Sequence, residues 1–281
     1  MKRQFCIANV HIEVISELPL RVEERWSLFE ASFETAELSF EVCYAARLPA
    51  YEGGVCFENE RVRVQEAHGR QLRTYFDVIS GDATVAVEEL GNRRHRITVC
   101  EDLLPWGCDV ADLFIPYGFP HNLPQFGKML LHCAYVLHEG KAILFTAPSG
   151  TGKSTQAALW QKHCGSVIVN GDRAAIGLEN GTVTAYGLPI SGTSPDCKNV
   201  TAPVAAIVKL SQAKENRVTR MNDMDAARCL LSGTYLPQEF SRDLPALFDL
   251  AVSIGQCVPV FHLECLPEES AVRALLPMLM E

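Results

Sequence analysis

The residues best suited to chemistry run consecutively: Ala147-Pro148-Ser149-Gly150-Thr151-Gly152-Lys153-Ser154-Thr155. Glycines let a backbone wrap closely, so that several N–H groups point at phosphate oxygens, and the start of a following helix adds partial positive charge. In a loop of the form G-x-x-x-x-G-K-[ST], the lysine reaches the β and γ phosphates and the next hydroxyl ligates Mg²⁺. Those roles fall to Lys153 and Ser154, with Ser149, Gly150, Thr151, Gly152 and Thr155 completing a nucleotide cradle. One departure stands out. The first glycine is replaced by Ala147, which is sterically allowed where φ is negative. The bland alternative is a Gly-rich turn with an incidental lysine; the strand expected before it and the helix after it favour nucleotide, with ATP and Mg²⁺ as the cofactors.

Phosphoryl transfer with Mg²⁺ also needs a carboxylate near the loop. Asp172 ends the next expected strand, nineteen residues beyond Lys153, in the run Val169-Asn170-Gly171-Asp172. It reads as a metal ligand, or as a turn aspartate in Asn-Gly-Asp, which is good turn chemistry by itself. Residues 187–199 form a Gly/Ser/Pro-rich stretch of the kind that makes mobile active-site loops or ordinary surface connections. Ser191, Thr193 and Lys198 are its candidate contacts to phosphate or acceptor. Arg173 would stabilise transferred phosphate or pair with a surface carboxylate.

These groups need elements to hold them. The first hundred residues read as strands near 5–14, 39–45, 61–64, 72–78, 84–87 and 94–99, with turns at Gly53-Gly54, Gly81-Asp82 and Gly91-Asn92. Pro105, Pro116, Pro120 and Pro124 mark a connection, with a short helical turn near 109–114. Beyond it, 128–137 suits a buried helix or strand, 141–146 (KAILFT) a strand, and 153–163 a helix. Strands follow at 166–170, 181–186 and 205–210, helices at 224–231, 245–255 and 270–280, and a strand at 259–263. The fold class is therefore a β-rich N-terminal domain (1–120) followed by an α/β domain (121–281).

Composition narrows the partners. Of 281 residues, 48% are hydrophobic, enough for a real core, and the formal net charge is −9. Such an acidic chain lacks the cationic field that holds nucleic acid or anionic lipid, so neither is expected. No apolar run reaches the roughly 18 residues of a membrane span. Met1-Lys2-Arg3 opens with positive charge, but no apolar core of an export signal follows. Eleven scattered cysteines without a Cys-x-x-Cys point to unpaired thiols and a cytoplasmic location. His138 and His163 read as solvent-facing, Arg93-Arg94-His95-Arg96 as a solvated strand edge, and Trp26, Trp106 and Trp160 as packing residues.

The run from His132 to Ile176 resembles the kinase domain of the HPr kinase/phosphorylase family, which is related in fold to the ATP-dependent phosphoenolpyruvate carboxykinases. The resemblance rests on the phosphate loop, on His132 lying fifteen residues before Ala147, and on the strand that ends at Asp172. It implies a P-loop domain with a mixed sheet and an ATP- and Mg²⁺-dependent kinase. The acceptor would be a hydroxyl, for example a serine of a small protein or peptide, or a small molecule. By the same resemblance Ser154 and Asp172 hold the metal, and a homo-oligomer, as the family forms, is the partner it implies. The family's paired aspartates, however, become Gly171-Asp172 here. One carboxylate then lacks its neighbour, and the proton acceptor would be His132, whose ordinary pKa suits neutral pH, or Asp196. The alternative for His132 is a satisfied histidine in an apolar segment. The alternative for the whole chain is a catalytically inactive nucleotide-binding regulatory or accessory protein.

Overall fold

Left-handed turns divide the first hundred residues of the computed structural model, which describes residues 1–106, 109–111, 113, 118–235 and 242–279. Ala8 and Asn9, with φ of 53° and 57°, split the expected 5–14 segment into a hairpin of β1 (Lys2–Ile7) and β2 (Val10–Ser16). Asn92 and Arg93 do the same between β7 (Ala83–Gly91) and β8 (Arg94–Cys100). Two successive positive φ values match the twist of paired antiparallel strands. The remaining strands are β3 (Leu38–Ala45), β4 (Gly54–Glu58), β5 (Val62–Ala67) and β6 (Arg70–Phe76). Gly54, expected in a turn, instead opens β4. Together they make an eight-stranded sheet in the order β1-β2-β3-β8-β7-β6-β5-β4. It is mixed: β3 runs parallel to both β2 and β8, and the other neighbours are antiparallel. Phe5, Ile7, Ile12, Trp26 and Phe40 are fully buried within this unit.

After β8, Glu101–Trp106 is a 3-10 helix. Part of the turn expected at 109–114, together with Pro116 and the Trp106 side chain, lies outside the described residues.

The chain divides by internal contacts into Met1–His121 and a second unit that comprises Asn122–Leu236 and Arg242–Glu281. In the second unit β9 (Lys128–His138) settles the helix-or-strand alternative in favour of strand. It is followed by β10 (Lys141–Thr146), a helix at Lys153–Cys164, β11 (Val167–Asn170), β12 (Arg173–Glu179), β13 (Thr182–Tyr186) and β14 (Thr201–Gln212). Then come β15 (Arg217–Arg220), helices Asp223–Gly233 and Leu244–Cys257, β16 (Val260–Cys265) and the helix Glu269–Leu275. The last helix stops short of the expected 280 because Leu276–Leu279, which contains Pro277, tightens into a 3-10 turn.

The strand path is β10-β9-β12-β13-β14-β16-β15, with β11 on β9 and β10 also parallel to β14. Long strands make this possible, since β9 pairs through its first half with β12 and through its second half with β10 and β11. Alternation along β9 sends Leu131, Cys133 and Tyr135 to a core shared with helices Asp223–Gly233 and Leu244–Cys257. It sends Ala134 and Val136 to a second core with Ala157 and Trp160 of the Lys153–Cys164 helix and with Val272 of the last helix. A sheet covered on both faces reads as continuous apolar runs, which is why 128–137 was ambiguous as a string. By the same alternation His132 emerges on the Lys153–Cys164 side.

Candidate functional site

The connection from β10 to its helix is built on two left-handed glycines. Gly150 has φ of 78° and Gly152 of 121°, and an added Cβ at either would meet only open space. Ala147 is not among the positive-φ residues, so the exchange of glycine for alanine costs the loop no backbone strain. The helix starts with Gly152 as its N-cap and the Gln156 N–H on the Gly152 carbonyl (2.9 Å). Lys153 Nζ donates to Ala147 O (2.9 Å) and to Pro148 O (3.4 Å), so the ammonium is folded over the loop's own carbonyls. Burial pulls the Lys153 pKa down, against the upward pull of Asp172.

Opposite the loop, β11 ends in a turn that brings Asp172 beside β9. The Asp172 carbonyl accepts from Cys133 N (3.0 Å), and Arg173, the first residue of β12, pairs in register with His132. This seats the Asp172 carboxylate 3.5 Å from His132 Nε2 through Oδ1, while Oδ2 accepts from Arg173 Nε (2.9 Å). Burial first, then the positive charge of Lys153, hold His132 below its ordinary pKa, and Asp172 offsets part of this. Arg173 also lies over the Tyr235 ring at 5.7 Å, so its guanidinium is committed between a carboxylate and an aromatic face.

These groups share one cleft of about 590 Å³. It is lined by His132, by Ser149, Gly150, Gly152, Lys153, Ser154 and Thr155 of the loop and helix start, by Gly171 and Asp172, and by Ser191, Thr193, Ser194, Pro195 and Asp196. Of the expected cradle residues only Thr151 is not on its wall; its carbonyl accepts from Gln212 Nε2 (3.5 Å). Lys198 is not on the wall either. Its ammonium donates to Ile168 O (2.6 Å) and lies 3.4 Å from Asp196, which corrects the expectation of a phosphate contact and leaves Asp196 ion-paired.

Residues 187–199 are fastened rather than loose. Lys198 N donates to Val169 O (3.0 Å), Cys197 bridges Asn170, and Ser191 Oγ donates to Ser194 O (2.9 Å). The residue that the sequence reading missed is Asn170, whose side chain is wholly buried behind this wall.

Open space over two left-handed glycines, a lysine on displaceable carbonyls, a hydroxyl at Ser154 and a carboxylate across the cleft suit a polyanion with a hard cation. Among the described residues no three His, Cys, Asp or Glu side chains group into a cage of their own. A Mg²⁺ ion here would therefore depend on phosphate oxygens and waters for most of its shell, as Mg²⁺ commonly does.

No family model matches the chain, and no curated protein matches it. Among solved structures it is similar to the HPr(Ser) kinase/phosphatase from Coxiella burnetii, with TM-score 0.30 and 15% identity over 54% of this chain and 99% of that one. A likeness of that degree assigns no role to any residue here. No helix among the described residues is long and apolar enough to cross a membrane.

Proposed function

We propose that the second unit is an ATP- and Mg²⁺-dependent phosphotransferase acting on a hydroxyl acceptor, a serine of a small protein or peptide being the favoured class. The observation that carries this reading is the placement of Lys153 and Asp172 on one cleft, with the two left-handed glycines of the loop at its floor.

The loop amides and Lys153 bind the phosphates, Lys153 exchanging the Ala147 and Pro148 carbonyls for phosphate oxygens. Ser154 and Asp172 hold the metal, which when bound neutralises charge between the phosphate oxygens. His132, its pKa held below the ordinary value by burial and by Lys153, accepts the proton of the acceptor hydroxyl. Ser191, Thr193 and Asp196 form the wall past which the acceptor enters.

Titration calorimetry with ATP and ADP, with and without Mg²⁺, tests the site. Wild type should bind ATP more tightly with Mg²⁺. Lys153→Ala should weaken binding about 10- to 100-fold, the worth of a charge-assisted contact of about 1.5–3 kcal/mol, and Asp172→Ala should remove the Mg²⁺ dependence. Equal ATP binding by wild type and Lys153→Ala would sink the assignment.

A second reading, nucleotide binding without transfer, is favoured by Gly171, where no second carboxylate exists and Ser194 fills the space. Turnover of γ-labelled ATP against peptide, protein and small hydroxyl acceptors separates the two. Binding with no labelled product or phosphate release selects the second.

A further inference from the structure

Asn170, the last residue of β11, is fully buried, and every hydrogen-bonding position of its amide is used. Oδ1 accepts from Asp172 N (2.9 Å) and Arg173 N (3.0 Å), while Nδ2 donates to Leu188 O (3.1 Å) and Ile190 O (2.9 Å). The partners determine the orientation of the amide, because a flip would set oxygen against two carbonyls and NH₂ against two N–H groups. One side chain thus joins the turn beside it to backbone eighteen and twenty residues further along the chain.

The joined segments also touch directly. Gly192, with φ of 54°, lies so close over Asp172 that an added Cβ would sit 3.0 Å from the carboxyl carbon. Ser194 occupies the space that a side chain at Gly171 would need. Contact therefore runs in a ring from Asn170 to Leu188 and Ile190, on to Gly192, and back to the Asp172 carboxylate.

We infer that Asn170 is a positioning residue that locks the Asp172 turn and the 188–196 wall of the cleft into one unit, so that the carboxylate is aimed by the wall as well as by its own strand. Its consequence for metal rests on the nucleotide reading given above; the lock itself does not. Neither the loop 147–152 nor the start of its helix is among the groups the Asn170 side chain bonds, so phosphate binding as such should be spared.

Two variants of the full chain separate the halves of the lock. Asn170→Ala removes all four bonds. Asn170→Asp keeps acceptance from the Asp172 and Arg173 amides and loses both donations to the wall. Amide hydrogen exchange on ligand-free protein is the first readout. Asn170→Ala should speed exchange about tenfold or more both at 172–173 and across 188–196, the loss of roughly one buried hydrogen bond or more at each. Asn170→Asp should speed it only across 188–196. ATP titration is the second readout: the enhancement of affinity by Mg²⁺ should fall about tenfold in Asn170→Ala, while Mg²⁺-free affinity stays within about twofold. A merely structural asparagine would lower both affinities together. Unchanged exchange across 188–196 in a folded variant, or equal losses with and without Mg²⁺, overturns the inference. If Asn170→Ala does not fold, the segment-selective exchange of Asn170→Asp decides. If wild type binds no ATP, the proposed function fails, and the exchange arm still decides whether Asn170 locks the wall.

Discussion

At the scale of single residues, position 171 explains why the Asp172 turn brings one carboxylate to the cleft and not two. A Cβ there would overlap Ser194 Oγ and lie 2.6 Å from Ser194 Cβ, so the wall has taken the volume that an aspartate side chain would use. Gly171→Asp should accordingly lower stability by about 1–3 kcal/mol through overpacking, and Ser194→Gly in the same chain should restore most of it. Urea unfolding of the single and double variants measures this coupling; purely additive losses would show that the two positions do not compete. The position of Asp172 combines turn and cleft, since the residue closes the Asn-Gly-Asp turn and faces the cleft. Local chemistry revealed the turn, whereas the bonds from Asn170 to residues 188 and 190 depend on contacts far along the chain and left no local trace.

At the scale of elements, the loop between β10 and its helix tolerates alanine at one glycine position and not at another, and backbone angle decides which. Gly152 at φ of 121° occupies a region closed to L side chains although the space around it is open. Gly152→Ala should therefore cost about 1–3 kcal/mol from backbone strain alone. Ala147→Gly relieves no strain and should change ATP affinity by less than about twofold, since position 147 already has an ordinary φ. Calorimetric titration and denaturant midpoints check both; a large gain in affinity on restoring glycine at 147 would refute the argument. Elements whose pattern is local were legible: β10 runs over Lys141–Thr146 as expected, and its helix starts at Lys153. β12 was not legible. Its sequence, RAAIGLE, has little intrinsic strand preference and is extended because β9 and β13 pair with it on either side.

At the scale of the whole molecule, the two units have separate cores, and each contains a fully buried tryptophan, Trp26 in the first and Trp160 in the second. Ligand that binds only the native second unit stabilises that unit by mass action. With Trp106→Phe as the background, Trp160→Phe and Trp26→Phe variants report one unit each, and saturating ATP and Mg²⁺ should raise the unfolding midpoint seen through Trp160 and leave that seen through Trp26 in place. A ligand shift confined to the Trp26 signal would move the site out of the second unit.

What the sequence determined by itself is the glycine-rich turn and helix start of residues 147–155, because amide direction and glycine φ are set within a few residues. The acidic balance, which disfavours nucleic acid and anionic membrane surfaces as partners, is equally a property of the string. The tertiary structure decided which distant groups face that loop. It brought His132 and Asp172 to the cleft through the pairing of β9 with β12, and turned the Lys198 ammonium away to Ile168. It also placed Asn170 behind the wall. Those outcomes depend on strand register and burial between segments tens of residues apart, and no periodicity within one segment encodes them.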